Sequence, residues 1–274
     1  MTTRASELLL GVMISFAFCA TSFAQATKEK MHYYSIAPEV SSYKYKESVA
    51  SPFKAKLSGT MVGFSAEYLN SGGLGYIEKS IPVQLRMRFN YMQGSLDYDG
   101  SLQDKYGNYM GPHKATGNKN YFVDMIFAGG LGFKLSEKFS ISPYIGLGHR
   151  YLVDEENSND PYDYKREQTY YYMPIGADWK ILPTPAWKLT LNTEADILLR
   201  GENYTHLYGG MKFRQKSGYG FRTAFKIERN LKSMGIFAEP FYRYWEIKES
   251  DVVDGWIEPK NKTQEFGLRI GVSF

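Results

Sequence analysis

The chain closes on Phe266-Gly267-Leu268-Arg269-Ile270-Gly271-Val272-Ser273-Phe274. Phe266, Leu268, Ile270, Val272 and Phe274 fall on one face of an extended segment, and Gly267, Arg269, Gly271 and Ser273 on the other. Side chains of a strand alternate between faces. Strict period two, with large apolar residues against polar or tiny ones, therefore reads as a strand between lipid and a polar interior. The terminal aromatic has the form of the signal that the outer-membrane assembly machinery takes from its substrates, and Phe274 is assigned that role.

The same alternation recurs upstream. Ile81, Val83, Leu85, Met87, Phe89 and Tyr91 oppose Gln84, Arg86, Arg88 and Asn90. Trp187, Leu189, Leu191, Thr193, Ala195, Ile197 and Leu199 oppose Lys188, Asn192, Glu194 and Asp196. Tyr219, Phe221, Thr223, Phe225 and Ile227 oppose Arg222, Ala224 and Lys226. Weaker versions lie near 33–46, 55–69, 119–135, 138–153, 167–182 and 233–248. Together these predict ten strands. Short turns near 70–78, 135–138, 182–186 and 229–233 alternate with long polar links near 93–118, 153–166, 200–217 and 248–262, and a shorter one near 47–54. Short turns at one end and long loops at the other characterise a transmembrane antiparallel up-and-down β-barrel. An even strand number places both termini in the periplasm.

Bulk properties agree. The chain has 274 residues, a formal charge of +4, 23 tyrosines and 26 glycines. Its mean hydropathy of −0.41 excludes a helical membrane bundle but not a barrel, where only alternate residues meet lipid. At the start, Arg4, the apolar run Leu8 to Ala20 and Ala24-Gln25-Ala26 read as a secretory signal cut after Ala26. This divides the chain into a signal peptide, 1–26, and a barrel, 27–274. Cys19 leaves with the signal, so neither disulfides nor thiolate chemistry enter. Beyond residue 26 no apolar run reaches the roughly 20 residues that a spanning helix needs. Closed strands are then the remaining way across lipid.

Pro38, Pro143, Pro174 and Pro240 fall inside the expected strands. Proline cannot donate to a ladder, so bulges or register breaks are expected there.

The interior is expected to be full of charge. Glu39, Glu67, Asp124, Asp178, Glu194, Asp196, Glu239 and Glu265 point inward, as do Arg86, Arg88, Arg150, Arg222, Lys226, Arg243 and Arg269. Buried charges are costly unless paired, so a structural ion-pair network plugging the lumen is the first reading and a polar solute pathway the second. Within it, Glu194 and Asp196 are expected to meet Arg222 and Lys226, with Glu239, Arg243 and Arg269 beside them. Lys44, Lys46, Lys54 and Lys56 flank the first outer link and are the candidates for contact with anionic lipopolysaccharide. The runs Tyr170-Tyr171-Tyr172 and Tyr242-Arg243-Tyr244-Trp245 read as interfacial girdles rather than sugar-stacking platforms.

Enzymatic chemistry finds little support. Omptin proteases, also ten-stranded, use an acidic pair and an Asp-His pair; here Asp97 and Asp99 could supply the first. Near His206 the residue two before is Tyr204, not aspartate. His149 could sit at a lipid-facing rim, as in a lipid-modifying enzyme, but no serine is placed beside it. The four histidines lack metal-ligand spacing, and the acidic link carrying Asp154, Glu155, Glu156, Asp160 and Asp163 has no Ca²⁺-loop pattern. No metal, cofactor or nucleic-acid partner is expected.

Ser142–Leu152, Tyr164–Gly176, Glu239–Ile247 and Ile257–Phe274 resemble a family of uncharacterised proteobacterial outer-membrane β-barrel proteins. The resemblance covers mainly the second half and implies the barrel and its location. It implies no activity, so no functional residues carry over. The expectation is a non-enzymatic outer-membrane barrel whose outer links serve surface contact or envelope integrity, with a narrow channel as the alternative. Its partners would be outer-membrane lipid, lipopolysaccharide and the assembly machinery.

Overall fold

The computed structural model describes residues 32–274 apart from 78–80, 105, 158, 161, 232 and the side chain of Tyr208. The expected signal peptide and its cleavage site lie outside the described residues. The strands are β1 (His32–Glu47), β2 (Ala55–Ile77), β3 (Ile81–Gln103), β4 (Tyr109–Leu131), β5 (Phe133–Lys134) and β6 (Phe139–Asp154). They continue with β7 (Arg166–Thr184), β8 (Trp187–Thr205), β9 (Met211–Gln215), β10 (Gly218–Asn230), β11 (Gly235–Ile247) and β12 (Asn261–Ser273). A single 3₁₀ turn, Leu207–Gly209, is the only helical piece among the described residues.

Every strand pairs antiparallel with its neighbours, and β12 returns to pair with β1, closing the sheet into a ring. Twelve strands appear where ten are expected. The difference is two short segments. β5 prolongs β4 along β6, and β9 pairs the far end of β8 while β10 pairs its near end. The ring thus has ten staves, an up-and-down barrel.

Outward residues include Ile36, Val40, Val62, Phe127, Ile145, Leu147, Ile197, Phe266 and Ile270, all 44–65 % exposed. A contiguous exposed apolar band of this kind is unstable in water and matches the lipid-facing surface of a membrane barrel. Phe274 lies 45 % exposed in this band, and its backbone exchanges hydrogen bonds with Tyr34 across the seam.

The prolines do not produce the expected register breaks. Pro38 keeps its place opposite Phe64, Pro143 opposite Ala177, Pro174 opposite Asp196 and Pro240 opposite Leu268. In each case pairing lapses only on the other flank and resumes in the same register. An antiparallel residue directs its N–H and C=O to one neighbour, so a proline disturbs one flank and leaves the other whole. Of these four, only Pro174 has a shift close by, between Tyr171 and Tyr172 on the β8 side; a further shift, between Ile181 and Thr184, spans Pro183.

The long polar links are also shorter than expected. Much of 93–118 continues the β3–β4 hairpin, and much of 200–217 continues β8 and β9. β2, β3 and β4 are each 23 residues long, whereas about 9–11 residues cross the bilayer. Their outer parts therefore stand beyond the lipid, where polar residues suit both faces and no alternation marks the strand. In the link before β12, Asp254 (φ 50°) and Gly255 (φ 83°) form the tip between the bridged residues Val253 and Trp256. Two successive positive-φ residues are what a tight hairpin turn requires, and Asp-Gly is a pair that tolerates them.

Candidate functional site

Side chains from all ten staves meet in the lumen in one alternating chain of charge. Asp178 binds Arg86, which also approaches Glu67 at 3.5 Å; Glu67 meets Lys226 at 3.3 Å, and Lys226 meets Glu239 at 3.2 Å. Glu239 binds Arg269, which reaches Glu39 at 2.7 Å; Arg243 joins Glu39 at 2.7 Å to Glu265 at 3.1 Å. Arg150 links Glu265 at 3.2 Å to Asp124 at 3.5 Å. Arg222 then connects Asp124 at 2.8 Å with Asp196 at 2.7 Å and Glu194 at 3.2 Å, and Arg88 ends the chain on Glu194 at 2.6 Å.

All the charges expected to face inward take part. One detail differs: Lys226 pairs with Glu67 and Glu239 rather than with Glu194 or Asp196. Arg222 alone serves that acidic pair from β10, because it sits directly opposite Glu194 while Lys226 lies opposite Thr190. Removing one member of such a pair strands its partner, at about 3–5 kcal/mol for a buried case.

Apolar side chains fill much of the remaining lumen. One cluster joins Tyr43, Tyr45, Leu57, Met61, Met92, Leu96 and Phe122 from β1 to β4. A second runs along the opposite wall through Ile126, Tyr144, Tyr170, Tyr172, Leu198, Trp245 and Ile247. The girdle expectation therefore fails for Tyr170, Tyr172 and Trp245, which point inward. Tyr171 faces out at 47 % exposure, its ring 5.0 Å from that of His149. Tyr172 is wholly buried; its hydroxyl donates to Asp124 at 2.6 Å and accepts from Arg222 at 2.8 Å. Its ring meets Trp245 edge-on at 5.1 Å. Gly148 makes room for it, since a Cβ there would lie 2.1 Å from the Tyr172 ring.

The two ends of the lumen differ. Towards the short turns a cavity of about 760 Å³ opens, lined by polar residues including Glu67, Arg88, Lys180, Lys188, Asn192 and Lys226. Towards the long links, the space between Tyr43, Met61, Phe122 and Arg166 is only about 20 Å³. That is room for one water at most.

The link before β12 tucks over this closed end. Its Lys260 carbonyl accepts from the Ser48 N–H of the link after β1 at 2.7 Å, and the Glu258 N–H donates to Ser250 Oγ at 2.9 Å. The Glu258 side chain is buried, and Tyr45 donates to Glu47 at 2.9 Å while lying 3.5 Å from Glu258. Burial, and then the neighbouring Glu47 carboxylate, push the Glu258 carboxyl up to about 8; Arg166 opposes them. Sequence reading missed Glu258. The Asp254-Gly255 dipeptide was the available sign that this link folds as a hairpin.

The acidic and histidine residues weighed as catalytic groups lie apart on the outer rim. Tyr98 faces His113, so its neighbours Asp97 and Asp99 take the opposite face of β3; Asp99 engages Lys54. An Asp-His contact does form, from residues far apart in sequence: His113 Nε2 lies 2.6 Å from Asp160 Oδ2. It ties the link after β6 to the β3–β4 hairpin. His206 instead approaches Glu167 at 3.4 Å. The acidic link is dispersed among separate partners, Asp154 with Arg166 and Glu155 with Lys165. No group of metal-ligand type occurs among the described residues. Lys44, Lys46 and Lys56 face outward above the apolar band, whereas Lys54 is taken by Asp99.

No protein-family model matches the chain, and no curated protein matches its sequence. Solved structures do match it. The outer-membrane protease OmpT from Escherichia coli superposes with a TM-score of 0.55 at 9 % identity, covering 92 % of this chain and 98 % of that one. The translocator domain of the autotransporter NalP from Neisseria meningitidis gives 0.43 at 9 % identity, covering 98 % and 97 %. The attachment invasion locus protein Ail of Yersinia pestis gives 0.35 at 12 % identity, covering 89 % and 99 %. The OmpT likeness shows a shared outer-membrane barrel fold.

Proposed function

We propose that the chain is an exported, integral outer-membrane barrel with a closed lumen, non-enzymatic, whose outer links serve surface contact or envelope integrity. The observation that carries this reading is the packing of the lumen towards the long links by two apolar clusters and the ion-pair chain, with space for about one water between Tyr43, Met61, Phe122 and Arg166. Barrels of about eight strands can be filled by side chains, and ten staves stand close to that limit. The protease reading that the OmpT fold invites is not adopted, because Asp97 and Asp99 lie on the far side of β3 from His113 and Asp160. Planar-bilayer recording of the purified protein tests the proposal. Silence or rare, small openings are expected; a stable porin-like conductance overturns it. The polar cavity of about 760 Å³ at the short-turn end favours a second reading, a narrow solute channel, which such a conductance would bring forward.

A further inference from the structure

The outward faces of β12, β1 and β2 bring Lys262, Lys46 and Lys56 to one rung, each directly opposite the next. Like charges placed opposite each other across strands destabilise a sheet. Several other rim lysines are matched by acids: Lys54 by Asp99, Lys165 by Glu155 and Glu167, Lys212 by Glu202, Lys216 by Asp251. Here the matching falls short: Asp99, directly opposite Lys56, is engaged by Lys54. Glu246, opposite Lys262, is shared at 3.5, 2.7 and 3.2 Å by Lys248, Lys260 and Lys262. Lys44 and Lys46 are exposed and Lys56 half-buried, and none has a carboxylate within ion-pair distance among the described residues. The cluster sits on a sheet, so its charges are held at strand spacing, about 5 Å apart.

We propose that Lys44, Lys46, Lys56 and Lys262 bind the phosphates of an anionic glycolipid in the outer leaflet. The position favours a lipid over a soluble anion. Directly below Lys44 on the same face come Ser42 and Val40, flanked by Phe266 and Leu268, all part of or bordering the apolar band. The rung of Lys46 lies four residues above that of Phe266, about 13 Å along the strand. A phospholipid headgroup layer is only about 5–8 Å deep on each side, so its phosphate reaches Lys44 but falls short of the upper rung. A lipid carrying several phosphates on an extended sugar headgroup spans both rungs. The assignment rests on the outer-membrane placement proposed above, but not on whether the lumen is closed.

The test uses the folded full chain in neutral detergent, with lipopolysaccharide, the same glycolipid after removal of its phosphates, phosphatidylglycerol and inorganic polyphosphate as probes. The intact glycolipid should bind at least tenfold more tightly than the other three. The double variant Lys46→Gln/Lys56→Gln should lose at least tenfold of that affinity, whereas Lys165→Gln should not. Thermal melting gives a second readout: without lipid the double variant should melt no lower than the unsubstituted protein, because like-charge repulsion has been relieved. Added glycolipid should raise the melting temperature of the unsubstituted protein more than that of the variant. Equal affinity of variant and unsubstituted protein, equal binding of polyphosphate, or a double variant that melts lower without lipid overturns the site. Failure of the chain to fold into detergent or bilayers would instead overturn the membrane placement, a separate outcome visible before any lipid is added.

Discussion

Arg269 Nε donates to Glu39 Oε2 at 2.7 Å across 230 residues of chain, and the two residues face each other on the strands that close the ring. The seam between first and last strands is thus fastened by a buried ion pair as well as by its ladder. Arg269→Ala leaves Glu39 with Arg243, and Glu239 with Lys226. Because each carboxylate keeps one cation, the expected cost falls below that of a stranded charge, at about 1.5–3 kcal/mol for the lost charged hydrogen bonds. Urea titration of the folded barrel in detergent checks this, and a variant as stable as the unsubstituted protein contradicts it.

Tyr172 offers a graded test of the lumen packing. Tyr172→Phe removes a hydroxyl that satisfies both Asp124 and Arg222 and should cost about 1–3 kcal/mol. Tyr172→Ala also leaves a cavity beside Trp245 and should cost about 3–5 kcal/mol. The same denaturation assay ranks them; an alanine variant milder than the phenylalanine one would show that the ring does not fill the lumen.

The two final residues should behave differently in assembly. Ser273 points inward and donates to Glu228 at 2.9 Å, whereas Phe274 faces the apolar band. A lysine at Ser273 can meet the Glu228 carboxylate, but one at Phe274 must displace an aromatic from the lipid surface. Folded yield in the outer membrane should fall several-fold further for Phe274→Lys than for Ser273→Lys. Equal yields count against this placement of the last strand.

The link over the closed end should loosen with rising pH. With its pKa raised to about 8, Glu258 holds its proton more tightly when docked than in the free link. Docking is therefore strongest below the ordinary glutamate range and weakens as pH climbs through about 8. Cleavage of 248–260 by a broad-specificity protease, normalised on an unfolded substrate, should be faster at pH 9 than at pH 6. Glu258→Gln should remove that difference; if it persists, another group controls the link.

How far the sequence foretold all this depends on polarity contrast. Arg86, Arg222 and Arg269 alternate with large apolar residues, so their inward direction was legible from the pattern alone. Tyr170-Tyr171-Tyr172 has no contrast, and residue type could not say which rings face the lumen. Residues 93–103 bury Leu96 inward, but their outward side carries Gln93, Ser95, Asp97 and Asp99, and 109–118 are mostly exposed, so no apolar outer row marks a period of two and both looked like loop. Asp160 and His113 come together only because two separate outer segments pack, which no spacing in one segment reveals. The prolines misled for a different reason: their effect is confined to one flank of a strand, while the other flank preserves the register.

The cavity among Glu67, Lys180 and Lys226 has its mouth at the short-turn end and packed side chains beyond it. With the lumen closed as proposed, a solute inside it would equilibrate with a single compartment. Such a chamber would store or sense, its occupancy following the concentration on that side alone. It would dissipate no gradient, however steep the difference across the membrane became.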